Sequence, residues 1–251
     1  MRHSLTPRIR RCDMSDYNYD AFSSRDYDFD ISTGPMPGEK APDFPVSTSS
    51  GEERHLLDFD GDFLVLETGS ITCPLFQSRR RMMGALEAEF PGISNAVLYV
   101  REAHPGAAIP SHDSFEDKRA CANRLREEDG EARLVLVDGI EGAAHNAYGG
   151  MPNAVFIINR NGCVLFRSDW NNPSATRQAL ATLIAGGSVR ARSYFRPAVP
   201  TTVLRTLGRA GKGAWPDFLR GLPVLIWCNL IKRNIRLAFN RPPALTRDTT
   251  C

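Results

Sequence analysis

Five short apolar runs limit what this chain can fold into more than any other feature of it. They are residues 62–67 (DFLVLE), 96–100 (AVLYV), 133–137 (RLVLV), 154–158 (AVFII) and 163–166 (CVLF). Each is too short for a helix and rich in branched or bulky apolar side chains, so each reads as a buried strand. Helical composition separates the first three. Residues 75–90 offer Phe76, Met82, Met83, Leu86 and Phe90 on one side, and 114–128 offer Phe115, Cys121, Ala122 and Leu125. Ser114 is a natural N-cap for the second helix, with Asp117 three residues later in the manner of a capping box. Asn159-Arg160-Asn161-Gly162 joins the last two runs and carries a hairpin signal. Residues 173–185 close the pattern as a helix, and Gly186-Gly187 stops it.

The order is β-α-β-α-β, then a β-hairpin, then α. It predicts an α/β fold with a mixed central sheet flanked by helices, an arrangement that resembles thioredoxin. With 251 residues, 42% of them hydrophobic, the chain can bury one domain and carry extensions at both ends. Residues 1–37 are rich in Asp, Tyr, Ser and Arg without an apolar period, and read as a disordered segment. Residues 38–187 form the expected domain. Residues 188–251 form a basic, helical C-terminal extension, with twelve Lys/Arg against two Asp/Glu in a chain whose net charge is only +2.

The six cysteines, Cys12, Cys73, Cys121, Cys163, Cys228 and Cys251, form no CxxC pair and no zinc-finger spacing. No secretory leader or spanning segment is recognisable; the longest apolar run of the extension is about ten residues and contains Pro223. Free thiols and a cytoplasmic location are therefore expected, with no metal and no bound cofactor. In the extension, residues 215–239 are rich in large apolar side chains, among them Trp215, Phe218, Leu222, Leu225, Trp227 and Ile231, with Lys232, Arg233 and Arg236 close behind. Such a stretch lies on an anionic membrane surface or packs back on the domain. No nucleic-acid recognition motif accompanies the charge.

In this architecture chemistry gathers where strand ends and helix begins. Cys73 falls there, followed by Pro74 at a helix start where its missing N–H costs nothing. Helix-start amides and the helix dipole lower a thiol pKa, so Cys73 is expected to be an accessible thiolate. Cys121 and Cys163 read instead as small buried hydrophobes. Glu102-Ala103-His104 follows the second strand at the same sheet edge, and His112 lies in the loop beyond. A histidine there can exchange a proton with the thiol, and a carboxylate two residues away can keep it protonated. Met151-Pro152 precedes the hairpin, where thioredoxin-like proteins hold a cis-proline beside the active thiol; a trans turn proline is the alternative. His3 and His55 show no such context, and His145 is a loop residue that keeps a minor claim to a role.

Gly69-Ser70-Ile71-Thr72-Cys73-Pro74-Leu75-Phe76 resembles the selenocysteine motif of the iodothyronine deiodinase family, with Cys73 at the selenocysteine position. Residues 99–105 (YVREAHP), 109–112 (IPSH), 115–117 (FED), 134–136 (LVL) and 147–149 (AYG) are similar to further stretches of that family, over residues 38–185 in all. The resemblance implies reductive removal of iodine from an aromatic ring. Cys73 is then the nucleophile, His104 the proton donor, and Glu102 and His112 a proton network. Thr72, Phe76 and Pro152 are expected to line the substrate site, and an external thiol to regenerate the cysteine. Related folds often dimerise, so a homodimer is a further expectation. The sequence departs from the family at Ile71, where a second cysteine is common. It departs again at 167–172 (RSDWNN), where the family places an arginine that holds the substrate carboxylate.

Two other readings compete. Gly38-Glu39-Lys40-Ala41-Pro42-Asp43-Phe44 resembles the lead-in of peroxiredoxins, which suggests a one-cysteine thiol peroxidase, although Thr72 adjoins Cys73 where PxxxTxxC spacing is usual. The third reading is a non-enzymatic thioredoxin-like protein that binds a partner through its basic tail.

Overall fold

The structure, a computed structural model, describes residues 17–190 and 192–251. Its sheet has seven strands in the order β2-β1-β5-β4-β3-β6-β7. They are β1 (Pro45–Thr48), β2 (Glu53–His55), β3 (Phe63–Gly69), β4 (Ile93–Tyr99), β5 (Leu134–Val137), β6 (Val155–Asn159) and β7 (Val164–Ser168). Strands β3, β4 and β5 run parallel, while β1 and β6 join them antiparallel. The mixed, thioredoxin-like α/β arrangement read from the sequence is thus the fold. The β1–β2 hairpin was not legible: Pro45-Val46-Ser47-Thr48 is too polar to stand out as a run.

Helices cover both faces: α1 (Pro74–Gly84), α2 (Leu86–Glu89), α3 (Phe115–Glu127), α4 (Ala143–Ala147) and α5 (Pro173–Ile184). Ser114 caps α3 as expected, its Oγ accepting from the Asp117 N–H at 3.1 Å. β3 is buried along its whole length because it is central. Leu64 and Leu66 face one core with Phe156 and Tyr148; Phe63 and Val65 face another with Met83 and Leu180. The β6–β7 turn places Gly162 at φ +74°, where a side chain would be strained and would also meet Lys40 at 2.9 Å.

Two expectations are corrected, and two alternatives left open by the sequence are decided. Residues 17–37 are packed rather than disordered, with Tyr17, Phe22 and Tyr27 buried. The cause is Arg101, whose guanidinium lies 5.1, 4.7 and 5.3 Å from the ring centres of Tyr17, Tyr19 and Tyr27, so aromatic rings collect on a buried cation. Residues 1–16, with His3 and Cys12, lie outside the described residues. Second, Cys163 and Cys251 form a disulfide, and only Cys73, Cys121 and Cys228 are free among the described cysteines. Third, no cis peptide bond occurs among the described residues, so Pro152 is trans.

The fourth concerns the C-terminal extension. It forms α6 (Pro200–Ala210), α7 (Ala214–Leu225), a π-helical stretch (Ile226–Arg233) and α8 (Asn234–Phe239), flanked by the short pair β8 (Val189–Arg190) and β9 (Ala244–Leu245). It docks on the domain through backbone bonds: the amides of Ala107 and Ala108 donate to the carbonyls of Lys212 and Ala210, each at 2.9 Å. The extension therefore packs back on the domain, one of the two arrangements its sequence allowed.

At the middle of the sheet, Arg133 is fully buried between Glu67, at 2.7 Å, and Glu131, at 2.8 Å. Removing one member of such a pair typically costs about 3–5 kcal/mol, because the partner stays charged and buried. Arg133→Met should lose stability on that scale in chemical denaturation, and adding Glu67→Gln should return part of it. A single variant as stable as the parent protein would show that the pair does not hold the sheet.

Candidate active site

β3 ends at Gly69, residues 70–73 turn, and Cys73 is the N-cap of α1 with φ −86° and ψ 109°. The turn is strapped to the segment after β4. The Ala103 amide donates to Ser70 Oγ at 3.2 Å, and the His104 amide donates to Thr72 Oγ1 at 3.2 Å. Thr72 in turn gives both its N–H, at 3.1 Å, and its hydroxyl, at 2.5 Å, to Glu102 Oε2. The other carboxylate oxygen accepts from Tyr99 Oη and from His112 Nε2, the latter at 3.2 Å. Burial pushes the Glu102 carboxyl up, but the His112 contact and the Thr72 and Tyr99 bonds together hold it below its usual value.

Cys73 and His104 line one cavity of about 460 Å3. Its walls come from three regions that are distant in sequence. Phe22, Tyr27 and Phe29 belong to the N-terminal segment; Pro152 and Trp170 flank the β6–β7 hairpin; Trp215, Phe218, Leu222, Leu225 and Asn229 belong to the extension. The His104 ring sits 4.3 Å from Phe22 and 5.5 Å from Phe218, centre to centre, and its Nδ1 has no hydrogen-bond partner among the described residues.

These surroundings reverse two electrostatic expectations. Burial pushes the Cys73 thiol up to about 11, against the lowering effect of the Phe76 and Leu75 amides at the start of α1. A residue only 2% exposed has lost more hydration than two amides return. Burial also drives His104 down to about 3, so its imidazole is neutral across the physiological range. Glu102 does not hold it protonated, because that carboxylate is bonded to Thr72, Tyr99 and His112 instead.

Of the other expected site residues, Pro152 lines the cavity and Thr72 braces the turn from behind. Phe76 does neither: its ring covers Gly69, where a Cβ would meet it at 2.3 Å, and it packs with Val97 and Leu125. Helical spacing put Phe76 one turn past the cysteine but could not say on which side. Arg167, in the segment expected to hold a substrate carboxylate, is buried against Asp169 and the carbonyls of Thr33, Gly34 and Pro35. His145 is structural, accepting from Tyr17 Oη at 2.9 Å and donating to the Met151 carbonyl at 3.0 Å. Sequence reasoning missed Tyr99, although it stands three residues before Glu102 in the strand already identified, and missed Asn229. Glu102, His112 and Cys121 bring an oxygen, a nitrogen and a sulfur within 4.8 Å of one another, but Glu102 is already saturated by protein donors.

The thiolate fraction of Cys73 should therefore grow with pH well beyond the neutral range. Iodoacetamide alkylation of Cys73, followed by mass spectrometry, should be slow at pH 7 and still rising at pH 10. A plateau below pH 8 would mean that the helix start, not burial, sets the thiol.

The family model of iodothyronine deiodinase matches residues 13–176. Type I iodothyronine deiodinase of Xenopus laevis is 32% identical over 141 residues, covering 52% of this chain and 55% of that protein. Thyroxine 5-deiodinase of Gallus gallus is 32% identical over 134 residues, covering 48% and 52%. Type II iodothyronine deiodinase of Sus scrofa is 34% identical over 131 residues, covering 45% and 48%. The chain thus spans about half the length of the curated relatives it matches. Among solved structures, a hypothetical protein of Sinorhizobium meliloti 1021 superposes with a TM-score of 0.51 at 16% identity, over 62% of this chain and 88% of that one. An uncharacterized conserved protein of Geobacillus kaustophilus gives 0.50 at 21%, over 62% and 86%; these two speak for the fold alone. With the family model matched over well more than half of its length, this chain belongs to the iodothyronine deiodinase family.

Proposed function

We propose that the protein is a thiol-dependent oxidoreductase that removes iodine reductively from an aromatic ring, with Cys73 as nucleophile and an external thiol as reductant. The observation that carries this reading is the cavity, which sets the cysteine of the family motif and His104 against aromatic walls and no formal charge.

The two raised and lowered pKa values suit the chemistry together. With the thiol near 11 and the imidazole near 3, the mobile proton rests on Cys73 sulfur. As Cys73 Sγ attacks iodine, that proton passes to His104 and from there to the ring carbon. The C–I bond breaks, an S–I bond forms, and the arene gains hydrogen. A first external thiol displaces iodide and leaves a mixed disulfide; a second releases Cys73 as a thiol and departs as the oxidised disulfide. Glu102 and His112 do not touch His104 in this scheme. They are positioning residues that hold the turn through Thr72.

No helix among the described residues is long and apolar enough to cross a membrane. The exposed Trp227, Ile231, Ile235 and Phe239, beside Lys232 and Arg236, support peripheral contact with an anionic membrane surface. The free thiol at Cys73 fits a reducing cytoplasm, whereas the Cys163–Cys251 disulfide fits an oxidising compartment.

Iodide release from iodinated phenols in the presence of dithiothreitol tests the reading. Release should vanish in Cys73→Ser. In His104→Ala it should fall at least ~10-fold, the low side of what positioned acid–base groups contribute. Hydrogen peroxide consumption, run in parallel, should be negligible. Peroxide turnover without iodide release would instead select a thiol peroxidase.

A further inference from the structure

We infer that the cavity selects uncharged halogenated phenols and aryl ethers, and that Asn229 donates a hydrogen bond to their oxygen. This rests on the reading of Cys73 as the dehalogenating thiol, and it narrows the substrate class.

No Asp, Glu, Lys or Arg lines the cavity. A ligand carrying a carboxylate or an ammonium would bury that charge against aromatic rings without a counter-ion, which is strongly unfavourable. Three buried arginines nearby are committed to protein partners. Arg79 donates to Asn153 Oδ1 at 2.9 Å and to the Arg196 carbonyl. Arg167 and Arg233 both pair with Asp169, each at 2.7 Å. Arg167, in the segment expected to hold a substrate carboxylate, therefore offers this cavity no free cation. What remains is a volume of about 460 Å3, within the range of small-molecule sites, whose rings favour another aromatic ring.

Asn229 gives this cavity a donor whose orientation the protein fixes. Asn229 is 1% exposed, and its Oδ1 accepts from Trp170 Nε1 at 2.7 Å. That bond sets the amide orientation, because only the oxygen can accept from an indole N–H. The Nδ2 group is then left buried with no partner among the described residues. Buried amide donors are rarely left unpaired, and an orphan in a ligand-sized cavity is explained by a ligand acceptor. Asn229 lies in the π-helical stretch, Ile226–Arg233. This geometry turns it inward while Trp227 and Ile231 stay exposed, and π-bulges of this kind recur at functional sites. A phenolic or ether oxygen meets the donor without bringing a charge.

The test uses the full chain with Cys73→Ser, so that binding is read without turnover, by quenching of tryptophan fluorescence. The ligands are 4-iodophenol, 4-iodoanisole, iodobenzene, 4-iodobenzoate and 4-iodophenylalanine at pH 7. Iodophenol and iodoanisole should bind at least ~10-fold more tightly than the two charged compounds, since an unpaired buried charge is costly. Asn229→Leu should weaken iodophenol about 2–10-fold more than iodobenzene, the span of one hydrogen bond. Equal or tighter binding of iodobenzoate, no binding of any neutral compound, or an equal loss for iodophenol and iodobenzene in Asn229→Leu would overturn the inference. The ligand comparison needs no substitution at Asn229 and so stands even if that variant fails to fold. If the neutral ligands bind as expected while the parent protein releases no iodide, the dehalogenation reading fails and the selectivity survives.

Discussion

The Glu67 carboxylate is the point from which the site is hung. It lies on the central strand, wholly buried, six residues before Cys73. Oε2 accepts from Arg133 Nη1 at 2.7 Å, while Oε1 accepts from Asn153 Nδ2 at 2.8 Å and Asn171 Nδ2 at 2.6 Å. Asn153 passes the connection to α1 through Arg79. One side chain thus joins β3, β5, the approach to β6, the exit from β7 and the helix that Cys73 caps. Pro152 and Trp170, both cavity walls, are the immediate neighbours of the two asparagines it holds. A buried network in which both carboxylate oxygens are bonded is rigid, and half-satisfied it is costly, so the cavity walls and the cysteine turn cannot shift independently.

What that frame presents is a competition between the backbone and the solvent. The start of α1 aims amides at Cys73 and favours its thiolate. The cavity withdraws the water that a thiolate needs. Desolvation wins for Cys73, and the same apolar walls make His104 a weak base. Neither group is activated alone. Under the proposed function, the thiol would lose its proton only as bond breaking at the ligand draws the sulfur electrons away. An activated thiolate in open water would react with any electrophile or oxidant that reached it.

Local pattern made the sheet, the turn and the cysteine legible, because they depend on period-two and helical spacing and on Pro74. The end of the second strand pointed to Glu102 and His104, and the structure places both beside the turn, though not in contact with each other. What local pattern left undecided or misread shares one cause. Residues 17–37 and 215–239 derive their order from long-range partners: Arg101 for the tyrosines, and the 105–109 loop and cavity for the helices. A window of ten residues contains neither. Phe76 shows the same limit at smaller scale, since its direction was decided by the absence of a Cβ at Gly69, seven residues away and on another element.

The division of labour between core and extensions follows from this geometry. The thioredoxin-like core alone supplies Cys73, His104 and the Glu102 brace, but it supplies only part of the wall. Without Phe22 and Tyr27 on one side and Trp215, Phe218 and Leu225 on the other, the cysteine would face water at a helix start. There the amides would prevail and the thiol would ionise near neutrality, as redox cysteines do. The segments that the sheet pattern does not require are therefore the ones that fix the protonation state of the thiol. Chemistry on this fold is set by what is laid over the strand ends, and in this chain that cover is contributed by both extensions together.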